Sequence, residues 1–173
     1  MIHLLGLMAL TAILLSENKG IGAESNTEDI STVLKWESLP DLPESLGVAG
    51  PFAGSHKDAL IIAGGANFAK PIWATEKQWT QQIHVLAEEE GSYTWHDGGL
   101  LKKPIAYGAS VTTEKGIVCM GGNDGSQTFQ DVFLLQWDPI GKKTKTIIYP
   151  SLPEPCAYGQ AALVGNTIYL AGG

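Results

Sequence analysis

Apolar runs that close on two adjacent glycines set the rhythm of the chain. Leu60-Ile61-Ile62-Ala63 leads into Gly64-Gly65, Ile117-Val118-Cys119-Met120 into Gly121-Gly122, and Ile168-Tyr169-Leu170-Ala171 into Gly172-Gly173. The first glycines of these pairs stand 57 and then 51 positions apart. A period near 50 marks an array of similar units. A buried strand that ends where the backbone must turn sharply, or run close to another segment, has this form. A second ruler agrees with the first. Leu42-Pro43 lies six positions after Trp36, Leu101 six after Trp95, and Leu152-Pro153 six after Thr146. These leucines precede their double glycines by 22, 20 and 20 positions. Between the markers lie Val48-Ala49-Gly50, Ala106-Tyr107-Gly108 and Ala157-Tyr158-Gly159, read as equivalent tripeptides.

Each unit divides into four predicted strands. The first follows the tripeptide, as in Gly108-Ala109-Ser110-Val111-Thr112. A tight turn comes next, at Ser55 to Asp58, at Thr113 to Gly116 and at Gly165-Asn166; Gly-Asn between apolar runs is a strong hairpin cue. The second strand is the run into the double glycine. The third is Ile83-His84-Val85-Leu86 or Val132-Phe133-Leu134-Leu135, and the fourth is short and outermost, around Tyr93-Thr94-Trp95 or Lys145-Thr146-Ile147-Ile148. β-branched and aromatic residues dominate, and no segment after residue 31 has a helical period. Antiparallel four-stranded units of about 50 residues, with a double glycine after the second strand, predict an all-β fold, the kelch type of β-propeller. One four-stranded sheet cannot bury both faces alone, so blades stack and each covers the next.

The repeats divide the chain into blades at 36–95 and 96–148 and a third, cut short, at 149–173. That is about two and a third blades, where a closed ring uses about 4–8. Lys35-Trp36-Glu37 reads as an outermost strand with no blade before it. The chain is therefore expected to be the front part of a longer protein or a truncated reading frame. Ahead of the propeller region, 33–173, two further segments are expected. Leu4 to Leu15 is an unbroken apolar run of twelve residues, followed by Gly20, Gly22 and Ala23. It is too short to span a bilayer comfortably and suits the core of an export signal, here 1–23, with a polar linker at 24–32. A cleaved signal implies a periplasmic or secreted protein without a stable membrane span.

Composition narrows the possible partners. The 173 residues carry a formal net charge of −7 and no basic run, which excludes nucleic acid as an expected partner. Gly 21 and Pro 9 fit many short strands and turns. Cys119 and Cys156 make no disulfide framework, and Cys119 sits in an apolar strand as a core residue. The histidines are spread out: His56 in a hairpin turn, His84 alternating on a third strand, His96 at the end of a fourth. No pair has metal-ligand spacing, and neither a nucleophile elbow nor a phosphate loop is present. Asp124-Gly125 reads as a turn.

The candidate chemistry lies in one loop. From Gly64 to Ile83 is 19 positions, against 11 from Gly121 to Val132, so blade one carries about eight extra residues. They include Asn67, Phe68, Trp73 and Trp79. Loops on a rigid scaffold carry binding function. Aromatic faces beside Asn, Lys and Glu suit a sugar, whose apolar ring faces stack while its hydroxyls meet polar groups. Packing is an equal reading for Trp73 and Asn67 and the favoured one for Trp79. A second candidate is Gly50, where small residues leave room at the axis. Tyr107 and Tyr158 recur in register and read first as repeat packing.

Three stretches, Leu46 to Gly54, Ile62 to Phe68 and Ala106 to Ser110, resemble the N-acetylneuraminate epimerases (sialic acid mutarotases) of the kelch class, in the order of the cyclically permuted branch. The resemblance covers about 36–173. It implies interconversion of the anomers of N-acetylneuraminate, a small sugar acid, without cofactor or metal. Gly50, Asn67, Phe68, Trp73 and Tyr107 are the residues expected to bind substrate, and the resemblance implies that they belong to part of a pocket wall. The family's proposed catalytic Glu and its neighbouring Arg follow a different glycine motif and are expected beyond Gly173; no Gly-Glu-Ala motif occurs here. The fragment is accordingly expected to be inactive by itself. The alternative expectation is a secreted kelch scaffold that binds a protein or glycan without catalysis.

Overall fold

The computed structural model describes residues 35–173; the export signal and linker expected at 1–32 lie outside them. Two compact units are distinguished, residues 1–39 and Pro40–Gly173. Of the first, only residues 35–39 are described. They hold an ion pair between Lys35 and Glu37 but form no strand. The outermost strand expected at Lys35–Glu37 is absent because no described strand pairs with it, and a strand exists only by pairing.

The second unit is all-β. Strands β1 (Phe52–His56), β2 (Ala59–Ala63), β5 (Gln82–Glu89) and β6 (Ser92–Leu100) form one antiparallel four-stranded sheet in that order. Strands β7 (Ala109–Thr113), β8 (Gly116–Met120), β9 (Val132–Asp138) and β10 (Lys143–Tyr149) form a second of the same topology, and β11 (Gln160–Val164) pairs with β12 (Thr167–Ala171) as a hairpin. Between β2 and β5, β3 (Ala66–Phe68) and β4 (Lys77–Trp79) make a small hairpin, with one 3₁₀ turn at Ile72–Ala74 between them. That single turn is too short to impose a helical period on the sequence. β6 is longer than the short strand expected around Trp95 and carries a bulge where β5 pairs Ile83 and His84. This is a partial β-propeller with two complete blades and a two-stranded third.

Each apolar run is explained by what covers it. In blade two, Ile117, Cys119, Phe133 and Leu135 face blade one, where they meet Phe52, Ile61, Ile83 and Val85. Alternate residues Val118, Met120, Val132 and Leu134 face the β11–β12 hairpin, against Ala161, Ile168 and Leu170. Both faces of the sheet are covered, so β8 reads as a continuous apolar run rather than an alternating one. Phe52 and Phe133 meet edge to face at 5.3 Å across the blade junction. Cys119 is fully buried, as expected, and burial pushes its thiol pKa well up.

The double glycines are the joints between blades. Gly65 N donates to Ile105 O and Gly122 N to Cys156 O, each at 2.8 Å, so each joint holds the lead-in of the next blade. Gly64 and Gly121 adopt φ of 68° and 65°, and a Cβ on either would overlap the same carbonyl, Ile105 O or Cys156 O. The innermost strands are joined by side chains. Ser110 Oγ donates to Ala53 O at 2.8 Å, and Thr112 Oγ1 accepts from Ser55 N at 3.0 Å.

His56 is not a turn residue. It ends β1, is buried, and its Nδ1 accepts the Trp137 amide at 2.9 Å. Burial, and then the charge of Lys57, hold its pKa below the ordinary value. The folded state therefore favours neutral His56. Its contribution is complete above the unfolded pKa of about 6.5 and is lost as pH falls through that value toward the lowered folded one. Glu114, Lys115, Asp138 and Lys145 line the same cleft. Between about pH 7.5 and 5.5 the melting temperature of the protein is expected to fall more than that of a His56→Asn variant. That variant keeps an acceptor oxygen but does not titrate. Parallel melting curves for the two proteins across this range would refute the assignment.

Candidate functional site

The eight extra residues of blade one are built as a lever. β3 and β4 pair Ala66 with Trp79, Asn67 with Gln78 and Phe68 with Lys77. Blade two has the same pairing reduced to one isolated bridge, Asn123 with Thr128. The longer hairpin reaches from blade one to blade two. Trp79 Nε1 donates to Asn123 Oδ1 at 3.3 Å, and its ring occupies the space a side chain at Gly125 would need. Asp124 closes the turn beneath: its Oδ1 accepts from Ser126 N, Ser126 Oγ and Gln127 N, which hold its carboxyl down to about 2. Both the packing role favoured for Trp79 and the turn read at Asp124-Gly125 are found.

Residues two apart on a strand share a face, so Lys77 points the same way as Trp79. Lys77 Nζ donates to the Tyr107 hydroxyl at 3.0 Å. It also lies 4.8 Å from the Tyr107 ring centroid, 5.5 Å from that of Phe68 and 5.7 Å from that of Trp79. The hydrogen bond to Tyr107 raises the ammonium pKa above its ordinary value. Among the described residues no carboxylate lies within ion-pair distance of Lys77.

Tyr107 is placed by its own backbone. Tyr107 N donates to Gly50 O and Tyr158 N to Tyr107 O, both at 2.7 Å, and the three residues share φ of 60°, 62° and 63°. Gly50, Tyr107 and Tyr158 are thus equivalent positions, one residue off the tripeptide alignment, which matched Gly50 with Gly108. The Tyr107 ring lies where a Gly50 side chain would be, and the Tyr158 ring stacks on it at 4.9 Å and 28°.

Of the residues expected to bind substrate, Phe68 and Tyr107 lie beside Lys77, and Gly50 lies under the Tyr107 ring. Asn67 stands on the same hairpin, its Nδ2 donating to Gly47 O at 3.1 Å. Trp73 stands apart on the 3₁₀ turn, 86% exposed. Lys77 and Tyr158, which complete this cluster, were not among the residues expected to bind substrate. The signal for Lys77 was its two-residue spacing from Trp79. His84 is buried on β5, and His96, expected to end its strand, lies inside β6 stacked on Trp137. Among the described residues no cluster of His, Cys, Asp and Glu could hold a metal ion, and no helix is long and apolar enough to cross a membrane.

Comparison with known proteins gives this architecture its relatives. The family model described as N-acetylneuraminate epimerase matches residues 22–145. The chain belongs to the N-acetylneuraminate epimerase family. A protein of that name from Yersinia enterocolitica is 34% identical, over 61% of this chain and 31% of its own length. One from Vibrio cholerae serotype O1 is 33% identical, over 60% and 30% respectively. The solved structure of YjhT superposes with a TM-score of 0.56 at 29% identity, covering 65% of this chain and 34% of that one. This epimerase-family chain thus spans about a third of the length of the relatives it matches. The match takes in blade one, and blade two as far as Lys145 in β10, including the β3–β4 hairpin and Tyr107.

Proposed function

We propose that the whole protein interconverts the anomers of N-acetylneuraminate, and that residues 46–158 supply one wall of its pocket. Family membership over residues 22–145 carries this reading. The rim of Phe68, Tyr107 and Tyr158 around one cation supports it, because such a surface suits a carboxylated sugar. The reaction needs little from the protein. A base takes the proton of the anomeric hydroxyl, the bond from the anomeric carbon to the ring oxygen breaks, and an acid protonates that oxygen. The open-chain ketone then recloses from its other face with the proton transfers reversed. In this reading the wall holds and orients the sugar, and the proposed base, expected from the family resemblance to follow a different glycine motif, is supplied from elsewhere in the protein. By the same reading the 173 residues alone are inactive. The apolar run from Leu4 to Leu15 supports export, which amino-terminal sequencing of the mature protein would test at Ala23.

The experiment is NMR observation of α/β exchange of N-acetylneuraminate with the complete protein. Exchange above the spontaneous rate is expected, and its absence at saturating substrate would refute the proposal. Trp73 is exposed and makes no core contact. Trp73→Ala is therefore expected to leave the melting temperature unchanged and to weaken substrate binding by about 1–3 kcal/mol if its ring meets the sugar. Unaltered exchange kinetics across substrate concentrations in Trp73→Ala and Asn67→Ala would remove both from the site.

A further inference from the structure

We propose that Lys77, held at the Tyr107 hydroxyl, is the residue that reads the carboxylate of an acidic sugar and so sets the substrate class; this rests on the epimerase reading above. The chain contains its own comparison. Lys103 also lies over an aromatic ring, 3.5 Å from the centroid of Phe129, but its charge is met by Asp131 at 2.9 Å. That pair is complete. Lys77 faces three rings and a hydroxyl, and among the described residues no carboxylate neutralises it. An ammonium group has three donors, of which Tyr107 takes one. Two N–H bonds and a full positive charge remain available to an anion, on a chain whose formal net charge of −7 otherwise repels one.

The group is also held in place before any ligand arrives. β4 is fixed at Trp79 by Asn123 and by the seat above Gly125. The Tyr107 phenol is fixed by a left-handed backbone, by the seat over Gly50 and by the stacked Tyr158 ring. A lysine stem is long and mobile, and holding its head at a fixed hydroxyl lowers the entropy lost on binding. The aromatic faces beside it attract the cation through their negative ring faces and help hold it in place. A carboxylate on a pyranose ring fits this arrangement, with the ring's apolar face against an aromatic side chain and its acid on Lys77.

A merely structural Lys77 would staple the hairpin to blade two and be indifferent to ligand charge. The test compares N-acetylneuraminate with its uncharged methyl ester, measuring binding by ligand-observed NMR and anomer exchange in the complete protein. Wild type is expected to prefer the acid. Lys77→Met, which keeps the stem, is expected to weaken the acid about 10- to 100-fold and leave the ester within about twofold. Lys77→Arg should retain the preference for the acid. Tyr107→Phe, which frees the ammonium group, should weaken the acid by a smaller factor. If Lys77→Met lowers the melting temperature, the Lys77→Arg comparison decides alone, and an acid preference lost there would overturn the proposal. Exchange with undiminished acid preference in Lys77→Met would overturn it while leaving the epimerase reading intact. Lys77-dependent acid binding without exchange would sustain it and refute that reading. No binding of either ligand to wild type would overturn it.

Discussion

Gly121→Ala is expected to destabilise the protein by about 3 kcal/mol or more. Gly121 adopts φ of 65°, where an L side chain costs about 1–2 kcal/mol. The new methyl group would also overlap the Cys156 carbonyl, which accepts the 2.8 Å bond from Gly122 N. Displacing it loses that bond, about 1 kcal/mol, and opens the joint between blade two and the third hairpin. Gly165→Ala is the control. Gly165 has φ of 57°, but no atom lies within 4 Å of where its new methyl group would stand, so only the backbone cost of about 1–2 kcal/mol is expected. Urea denaturation of both variants measures the difference. Equal losses would show that the backbone angle alone, and not the joint, demands glycine at 121.

Phe52→Ala is expected to cost about 3–5 kcal/mol, the range for deleting a buried phenylalanine that leaves a cavity. Phe52 is 1% exposed and meets Phe133 edge to face, and its ring fills the space beside Gly108. It therefore sits where the innermost strand of blade one, the third strand of blade two and the start of β7 converge. Phe52→Leu keeps most of the volume and should cost about half as much or less. A loss below about 1 kcal/mol for Phe52→Ala would mean that the blades do not share this core.

The architecture was legible because it is repeated and because its signals are local. Gly165-Asn166 between apolar runs gave the β11–β12 hairpin, and the double glycines gave the ends of β2, β8 and β12. The tripeptide alignment slipped by one residue for a physical reason. Of Tyr107 and Gly108, the glycine is the expected left-handed residue, yet the tyrosine takes φ of 62°. Gly108 is instead small because the Phe52 ring and the Met120 carbonyl crowd it. The long loop of blade one was legible as an excess of residues, but not as a hairpin. Its strands are three residues long, too short for alternation to register. Beyond its spacing from Trp79, the setting of Lys77 was not legible, because its three rings come from Phe68, Trp79 and Tyr107, spread over 40 positions. Only the tertiary fold brings them together.

The seat of Tyr107 over Gly50 has a consequence for how a ligand would be read. Repeated blades tend to present the same groups at each rotation, and an asymmetric molecule on such a surface could settle in several equivalent poses. Here the rotational equivalence is broken twice on the same rim. Position 50 is a glycine where positions 107 and 158 are tyrosines, and the hairpin bearing Lys77 rises from blade one where blade two keeps a single bridge. A molecule with one charged end and one apolar face would find a single matching pose among the blades. Repetition gives the scaffold its stability, and these two departures from it give the rim a direction.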